Sequence, residues 1–255
     1  MARIAILHPG EMGAAIGADL RELGHEVRWL PAGRGAGTRR RADAARLAAA
    51  SDLVGCDVVI SICPPAAAVE TARRIGEYDG LYVDANAVSP ATALRISGLV
   101  AERGATYVDG SVIGAPPSRA GATRLYLSGA NAADVASLFA GGRTEARILD
   151  GDYAASALKM TYAAWTKISS ALLLATAETA HELGVDEALR TEWAQSLPEL
   201  ADRLHRARTS AIAKGWRWSD EMTEIARTFS DAGLPGEFGT AAAKLFARQP
   251  RPSDR

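Results

Sequence analysis

The sequence is poor in cysteine, with only Cys56 and Cys63 among its 255 residues. Cys63 ends the apolar run DVVISIC, which is typical of a buried strand, so we expect a reduced pair rather than a disulfide. No apolar run approaches the roughly 18 residues that a membrane helix needs. The N-terminus enters the run RIAIL directly, without the pattern of a signal peptide. These absences predict a cytoplasmic protein.

The sequence also lacks an excess of either charge. Its 29 Lys and Arg residues are balanced by 30 Asp and Glu residues, so no global field attracts nucleic acid or a membrane surface. The four histidines are scattered, and neither C-x-x-C nor H-E-x-x-H occurs, so we expect no metal site. The absence of G-x-S-x-G argues against a hydrolase of that type. The expected partner is a small-molecule substrate.

The first 150 residues alternate between strand-like apolar runs and segments with helical spacing. Met12, Ile16 and Leu20 recur at helical intervals, for example, and a glycine follows where that helix should end. Strands are predicted at 3–7, 25–30, 57–63, 81–85, 106–110, 124–129 and 146–149, with helices over 11–23, 66–75 and 90–103 and from about 38 and 132. This alternation predicts a mostly parallel sheet in a Rossmann dinucleotide-binding domain over residues 1–150.

The remainder of the chain contains no convincing strand. Residues 153–183 lack interior Gly and Pro and are apolar on most sides, which predicts one long helix buried in a bundle or a subunit interface. Shorter helices are predicted over 186–195, 198–214, 218–232 and 236–247. The predicted fold class is therefore α/β followed by all-α, with a helical domain over 151–248 and a flexible tail over 249–255.

The stretch ILHPGEMGAAIG carries part of the dinucleotide fingerprint G-x-G-x-x-G. Gly10 and Gly13 occupy the second and third glycine positions, whereas His8 stands at the first. Gly10 allows the backbone to approach a pyrophosphate, and Gly13 permits close packing of helix on strand. Glu11 and Met12 complete the turn as candidate cofactor contacts. A plain connection between strand and helix is the alternative, and the role of His8 stays open.

The loop after the second strand favours NADP over NAD. The segment VRWLPAGRGAGTRRRAD has no acidic residue before Asp43, although NAD sites usually place one there for the ribose. Arg34, Thr38 and Arg39 are candidate ligands of a 2′-phosphate, because guanidinium groups pair bidentately with phosphate. A solvated basic helix start is the alternative, but cations at a helix N-terminus are disfavoured without an anion.

The order of motifs resembles the β-hydroxyacid dehydrogenase superfamily, which includes 6-phosphogluconate dehydrogenases, 3-hydroxyisobutyrate dehydrogenases and imine reductases. A G-x-M-G turn is followed by ISICPP, VDANAVSP and YVDGSVIGAPP, and the helical half opens with GDYAASALKM. The resemblance covers essentially the whole chain and is closest to bacterial members with a distinct helical second domain. It implies an NAD(P)-dependent oxidoreductase, commonly dimeric through its helical domain, that moves a hydride to or from a carbon bearing OH or NH.

The resemblance assigns the proton-transferring lysine to Lys159. This residue stands in the otherwise uncharged stretch AASALKMTYAAW, and Tyr162 shares its helix face three residues later. Partial desolvation among small apolar side chains should lower the pKa of Lys159. The alternative is a lysine that keeps its charged end in water.

Two departures from the superfamily put the substrate in doubt. Ala163 stands four residues after the lysine, where hydroxyacid dehydrogenases carry asparagine, so Tyr162 is the second catalytic candidate. Ile113 replaces the serine of their substrate loop, which leaves Ser111, Val112 and Gly114 as candidate substrate contacts. Imine reduction is therefore an alternative to hydroxyacid oxidation, and a non-catalytic NADP-binding sensor or structural protein is a second alternative.

Two further segments are candidates for the site. In the superfamily the segments at Cys63-Pro64-Pro65 and at Asn86 border the nicotinamide. Asn86 has an equally weighted alternative as a turn residue that bonds its own backbone. In the helical half, the stretch KGWRWSDEM places Trp218 and Met222 one turn apart, so both are candidates for an apolar substrate pocket.

Overall fold

The computed structural model describes residues 1–249, which form two compact units. The first unit is Met1–Lys159 and the second begins at Met160. The division lies within a helix, later in the chain than the predicted boundary near residue 150. Apart from Gln249, the predicted tail lies outside the described residues.

The first unit contains one eight-stranded sheet. Its strands are β1 (Arg3–Ile6), β2 (Glu26–Trp29), β3 (Ala48–Ala49), β4 (Val58–Ser61), β5 (Leu81–Asp84), β6 (Thr106–Gly114), β7 (Thr123–Ser128) and β8 (Thr144–Leu149). The sheet order is β3-β2-β1-β4-β5-β6-β7-β8. Strands β1 to β6 are mutually parallel, and β7 and β8 run antiparallel to them because β7 follows β6 through a hairpin.

Five helices connect these strands and cover both faces of the sheet. They are α1 (Glu11–Glu22), α2 (Ala36–Ala44), α3 (Pro65–Arg73), α4 (Pro90–Ala101) and α5 (Ala132–Ser137). Alternate strand residues enter two separate cores: Ile4 and Ile6 pack on one side of the sheet, and Ala5 and Leu7 pack on the other. Burial on both faces explains why the central strands are continuous apolar runs.

The second unit is helical, and α6 (Ala154–Ala163) enters it from the first. A π-helical segment (Ala164–Ile168) joins α6 to α7 (Ser169–Glu182). The remaining helices are α8 (Asp186–Ser196), α9 (Leu200–Lys214), α10 (Trp218–Asp231) and α11 (Glu237–Ala247), with a 3₁₀ turn at Gly215–Arg217. The predicted fold class, a Rossmann-type domain followed by a helical region, is confirmed. Within residues 1–249, none of the helices combines the length and apolarity needed to cross a membrane.

Candidate functional site

The strand order places a crevice at the carboxyl ends of β1 and β4. The order reverses at β1, since β2 lies on one side of it and β4 on the other. Ligands of open α/β sheets bind at such switch points, outside the carboxyl ends of the strands. The loops that follow β1, β2, β4 and β5 therefore converge there, and they carry the predicted cofactor-binding residues.

The two glycines of the β1–α1 turn have different surroundings. A Cβ on Gly13 would overlap the carbonyl oxygen of His8, so this position needs glycine for α1 to pack against the turn. A Cβ on Gly10 would meet nothing within 4 Å, and Gly10 is the N-cap of α1. Glu11 is exposed and Met12 half-buried in the first turn of the helix. The turn thus offers an accessible helix N-terminus, which suits a phosphate group.

Arg34 reaches from the loop after β2 to the turn after β1. Its Nη1 contacts Nε2 of His8 in a short hydrogen bond. Burial, together with the charge of Arg34, lowers the pKa of His8 to about 4. Burial also lowers the pKa of Arg34. These two residues therefore form a partly desolvated pair at the edge of the crevice.

The other two phosphate candidates lie at the start of α2. Arg39 donates from Nε to the carbonyl of Arg34 at 3.1 Å and from Nη2 to that of Pro31 at 2.9 Å. Its guanidinium thus closes the loop that presents Arg34. Thr38 is half-buried in the first turn of α2, and its backbone nitrogen donates to Gly35. Arg39 is exposed, so it lies beside Arg34 on the side facing solvent.

Asn86 joins the ends of β4 and β5. Its Oδ1 accepts from the backbone nitrogen of Cys63 at 2.6 Å, and its Nδ2 donates to Ser61 Oγ at 3.1 Å and to Asp84. The side chain is buried, so these contacts fix the loop that carries Pro64. The alternative prediction, in which Asn86 only bonds its own backbone in a turn, does not account for this link between β4 and β5.

The cysteine and prolines after β4 begin helix α3. Burial raises the pKa of the Cys63 thiol to about 11, so the thiol stays protonated at neutral pH. Pro64 is the exposed N-cap of α3, and Pro65 is its first residue. Of the three, Pro64 is the most exposed.

Lys159 lies at the carboxyl side of the same sheet. Asp84 at the end of β5 pairs in register with Asp109, and β6 continues past that level to Gly114. Lys159 Nζ donates to the carbonyl oxygen of Val112, in this extension, at 3.0 Å. The ammonium group is therefore held beyond the ends of β1 to β5, on the side of the cofactor-binding loops.

Asp109 and Ser111 anchor the start of α6, on which Lys159 stands. Asp109 accepts from the Ser156 backbone at 3.0 Å, from the Ser156 hydroxyl at 2.6 Å and from Ser128 Oγ at 2.8 Å. Ser111 is fully buried and donates to the carbonyl of Ala155 at 2.8 Å. Its role as a substrate contact stays a prediction, since its hydroxyl is engaged by Ala155 in this structure.

Four candidates remain, of which one lies in the first unit and three in the second: Gly114, and Tyr162, Met222 and Trp218. Gly114 ends β6 with φ of +120°, and a Cβ there would overlap the carbonyl of Ala122, so its backbone rather than a substrate requires glycine. Tyr162 is half-exposed in α6 and belongs to the second unit. Met222 is fully buried in α10, and its role in a substrate pocket stays a prediction. Its apolar spacing on the helix reflects the core of the second unit.

Trp218 lies against a partly buried ion pair in the second unit. Lys167, in the π-helical segment, contacts Glu221 of α10 in a short ion pair. The same ammonium lies 5.5 Å from the centroid of the Trp218 ring. The ring also packs edge-on against Phe246 at 5.0 Å. These contacts give Trp218 a packing role that its sequence position did not indicate.

Sequence reasoning left His8, Asp109 and Ser156 without roles. His8 carried one signal, since it is polar where the fingerprint has glycine. Asp109 was part of a matching motif, but nothing in the sequence indicated that it would cap α6 through Ser156. Among the described residues, no cluster of three or more His, Cys, Asp or Glu side chains could hold a metal ion.

Comparisons with known sequences match parts of the chain. Residues 180–249 match the model of a family described as "Domain of unknown function (DUF1932)". An uncharacterized 28.5 kDa protein of Methanothermus fervidus is 36% identical over 141 residues. That alignment covers 54% of each protein, so the chain spans about half the length of this curated relative.

Comparisons with solved structures match almost the whole chain. Conserved protein MTH1747, described as similar to 3-hydroxyacid dehydrogenases, is 28% identical with a TM-score of 0.71 over 96% of this chain and 95% of its own. Mycobacterium tuberculosis 3-hydroxyisobutyrate dehydrogenase, with L-serine, is 19% identical with a TM-score of 0.69 over 97% and 93%. The Aspergillus terreus reductive aminase, with NADPH and ethyl levulinate, is 18% identical with a TM-score of 0.54 over 97% and 93%. The resemblance inferred from the sequence is thereby confirmed at the level of the fold.

Proposed function

We propose that the protein is an NADP-dependent oxidoreductase. It transfers a hydride to or from a carbon that bears OH or C=O, or NH or C=N, in a small organic substrate, with Lys159 as the proton donor and acceptor. The shared fold supports this reading, since structures with that fold include a 3-hydroxyisobutyrate dehydrogenase and a reductive aminase with NADPH. The residues of the first unit support it independently.

The β1–α1 turn and the loop after β2 fit a phosphorylated dinucleotide. The open space at Gly10 leaves room for a pyrophosphate beside the N-terminus of α1. Arg34 and Arg39 provide positive charge where the ribose phosphate of NADP would lie. The absence of an acidic side chain between Leu30 and Asp43 favours NADP over NAD.

The position of Lys159 carries the enzymatic part of the proposal. Its Nζ is oriented by the Val112 carbonyl on the carboxyl side of the parallel strands. When bound there, the nicotinamide cofactor supplies or accepts the hydride. Lys159 gives a proton to the substrate oxygen or nitrogen in reduction and receives it in oxidation. A non-catalytic NADP-binding sensor would not use this ammonium group for proton transfer.

The loop around β6 bears on the class of substrate. Ser111 donates its hydroxyl to the Ala155 carbonyl, and Ile113 has no hydroxyl, so neither side chain offers one to a substrate carboxylate. Ketones and imines without a carboxylate are therefore favoured over small hydroxy acids. Imine reduction remains the second candidate, supported by the same observation.

The proposal predicts that Lys159→Met abolishes turnover and spares cofactor binding. The thioether cannot hold a proton, while the residues around Gly10 and Arg34 are unchanged. Loss of a general acid–base group typically costs about 10²–10⁴-fold in rate. The measurement is NADPH consumption with a panel of ketones, β-keto acids and cyclic imines, together with NADPH affinity by fluorescence titration.

Lys214→Met is the matched control, because Lys214 is an exposed lysine of α9. It should turn over substrate at the wild-type rate. Full activity of Lys159→Met would contradict the assignment of Lys159 as the proton donor. Tight NADPH binding by the wild type without turnover of any substrate on the panel would favour the sensor instead.

A further inference from the structure

His8 stands where the dinucleotide fingerprint has its first glycine. A glycine at this position could offer only its backbone, whereas the imidazole of His8 contacts Arg34 in the neighbouring loop. The substitution therefore adds a side-chain link between the turn after β1 and the loop after β2.

The link fixes the tautomer of His8. A guanidinium group carries donors and no acceptor. Nε2 of His8 must therefore accept from Nη1 of Arg34, and the ring proton resides on Nδ1. The lowered pKa of His8 agrees with this neutral form, since burial and the charge of Arg34 both oppose protonation.

The contact with His8 occupies one nitrogen of the Arg34 guanidinium and leaves the opposite edge of the group available to a ligand. Nη1 is engaged, so the edge formed by Nε and Nη2 is the one that can pair bidentately with a phosphate. Nε is buried and has no hydrogen-bond partner among residues 1–249. An unpaired buried donor is costly, and a phosphate oxygen would satisfy it.

The surroundings of the pair contain no competing anion. Among the described residues, the titratable groups that act on this pair are the two partners themselves and Cys63. Burial raises the pKa of the Cys63 thiol to about 11, so it carries no charge at neutral pH. Within the described residues, no carboxylate contributes to the pKa shift of Arg34, so none competes there with a ligand phosphate.

We propose that His8 is a positioning residue that selects NADP over NAD, because it holds Arg34 with its Nε–Nη2 edge toward the 2′-phosphate of the cofactor. The inference rests on the proposed function and adds a specificity determinant to it. It also gives a reason for histidine at a position where the fingerprint has glycine.

The test compares wild type with His8→Gly, which completes the fingerprint as G-P-G-E-M-G. Fluorescence titration measures the dissociation constants of NADPH and NADH. Misplacing one charge-assisted pair should weaken NADPH binding about ten- to a hundredfold. NADH has no 2′-phosphate, so its affinity should stay within about twofold.

Arg34→Ala and the double variant identify the mechanism. If His8 acts through Arg34, His8→Gly should have little further effect on NADPH affinity once Arg34 is removed. His8→Gln supplies an acceptor for Nη1 and should keep the preference, whereas His8→Leu fills the space without one and should lose it. These two variants also test the inference if His8→Gly does not fold.

The outcomes separate this inference from the proposed function. A wild type that binds neither cofactor overturns both. A wild type that prefers NADPH, with the same preference in His8→Gly and His8→Leu, overturns the role of His8 alone. Equal losses of NADPH and NADH affinity in these variants would also overturn it, since a general structural role affects both cofactors alike.

Discussion

At the scale of single residues, one turn uses glycine for two different reasons. Gly13 packs so closely against the carbonyl of His8 that a methyl group could not be accommodated without displacing α1. Gly10 has an extended backbone with φ of −68° and open space where a Cβ would lie. The fold therefore requires glycine at position 13, and the proposed cofactor requires it at position 10.

This difference predicts opposite outcomes for two alanine variants. Gly13→Ala should lower the free energy of unfolding by about 1–3 kcal/mol, the usual cost of overpacking. Gly10→Ala should leave stability unchanged or raise it by about 0.4–1 kcal/mol, because its backbone suits alanine. It should nevertheless weaken NADPH binding, since the methyl group occupies the space for the pyrophosphate. Urea unfolding and NADPH titration measure the two effects, and unchanged affinity in Gly10→Ala would contradict the assigned binding site.

Several residue roles could not be read from the sequence because they depend on distant partners. Ser111 and Asn86 are polar and lie in the correct loops, but Ala155 and Cys63 engage their side chains. Met222 has the spacing of a pocket residue and also the spacing of a core residue. The glycine turn and Lys159 stand out more clearly in the sequence, because local spacing and an isolated charge mark them within one segment, and their assigned roles stay predictions.

At the scale of secondary-structure elements, the end of β5 and the middle of β6 bring two buried carboxyl groups together. Asp84 and Asp109 are paired in register on these neighbouring strands. Burial, followed by the charge of Asp109, raises the pKa of Asp84 to about 7, although hydrogen bonds from Asn86 oppose the shift. Burial likewise raises the pKa of Asp109. These two carboxyl groups therefore hold their protons at pH values at which the unfolded chain has lost them.

The shift predicts how stability depends on pH. Between about pH 4 and pH 7 the folded protein holds a proton on Asp84 that the unfolded chain has lost, so its contribution to stability falls as pH rises. Asp84→Asn removes this contribution while keeping an acceptor for Asn86. The decrease in unfolding free energy from pH 4.5 to pH 7.5 should therefore be smaller in Asp84→Asn than in wild type.

The measurement is urea unfolding at a series of pH values. Asp79→Asn replaces an exposed aspartate and is the control, with the wild-type dependence expected. The difference between variant and wild type gives the contribution of Asp84 to the pH dependence of the unfolding free energy. The contribution of His8 has the opposite sign, because its pKa is lowered, and it cancels in this difference. For His8 the unfolded chain binds the extra proton between about pH 4 and 6.5, so stability rises with pH there. Identical curves for Asp84→Asn and wild type would contradict the assigned shift.

The elements that sequence predicted well are those whose signal is local. Buried runs and helical spacing identified all of the strands except β3, which has only two residues. The extension of β6 to Gly114 was not predicted, because it depends on pairing with β7. The π-helical segment at Ala164–Ile168 was also unforeseen, since its residues continue the same apolar pattern as the helix around it.

At the scale of the whole molecule, the long helical stretch of the second unit is less buried than its sequence predicts. Trp165 is 69% exposed and Leu172 67% exposed, and they lie seven residues apart across the π-helical segment and α7. Large apolar side chains exposed along a shared helical stretch are typical of interaction surfaces. We propose that a second copy of the chain covers this stretch, consistent with the homodimer that the resemblance implies.

This proposal predicts a dimer that single substitutions on the stretch can weaken. Wild type should sediment as a dimer, and Trp165→Glu or Leu172→Glu should shift the equilibrium toward monomer, because a charge buried without a partner is costly. Leu94→Glu is the matched control, since Leu94 is an exposed leucine of α4 in the first unit. It should leave the sedimentation unchanged. Analytical ultracentrifugation over a range of concentrations measures the equilibrium. A wild type that is monomeric at all concentrations would contradict the proposed dimer.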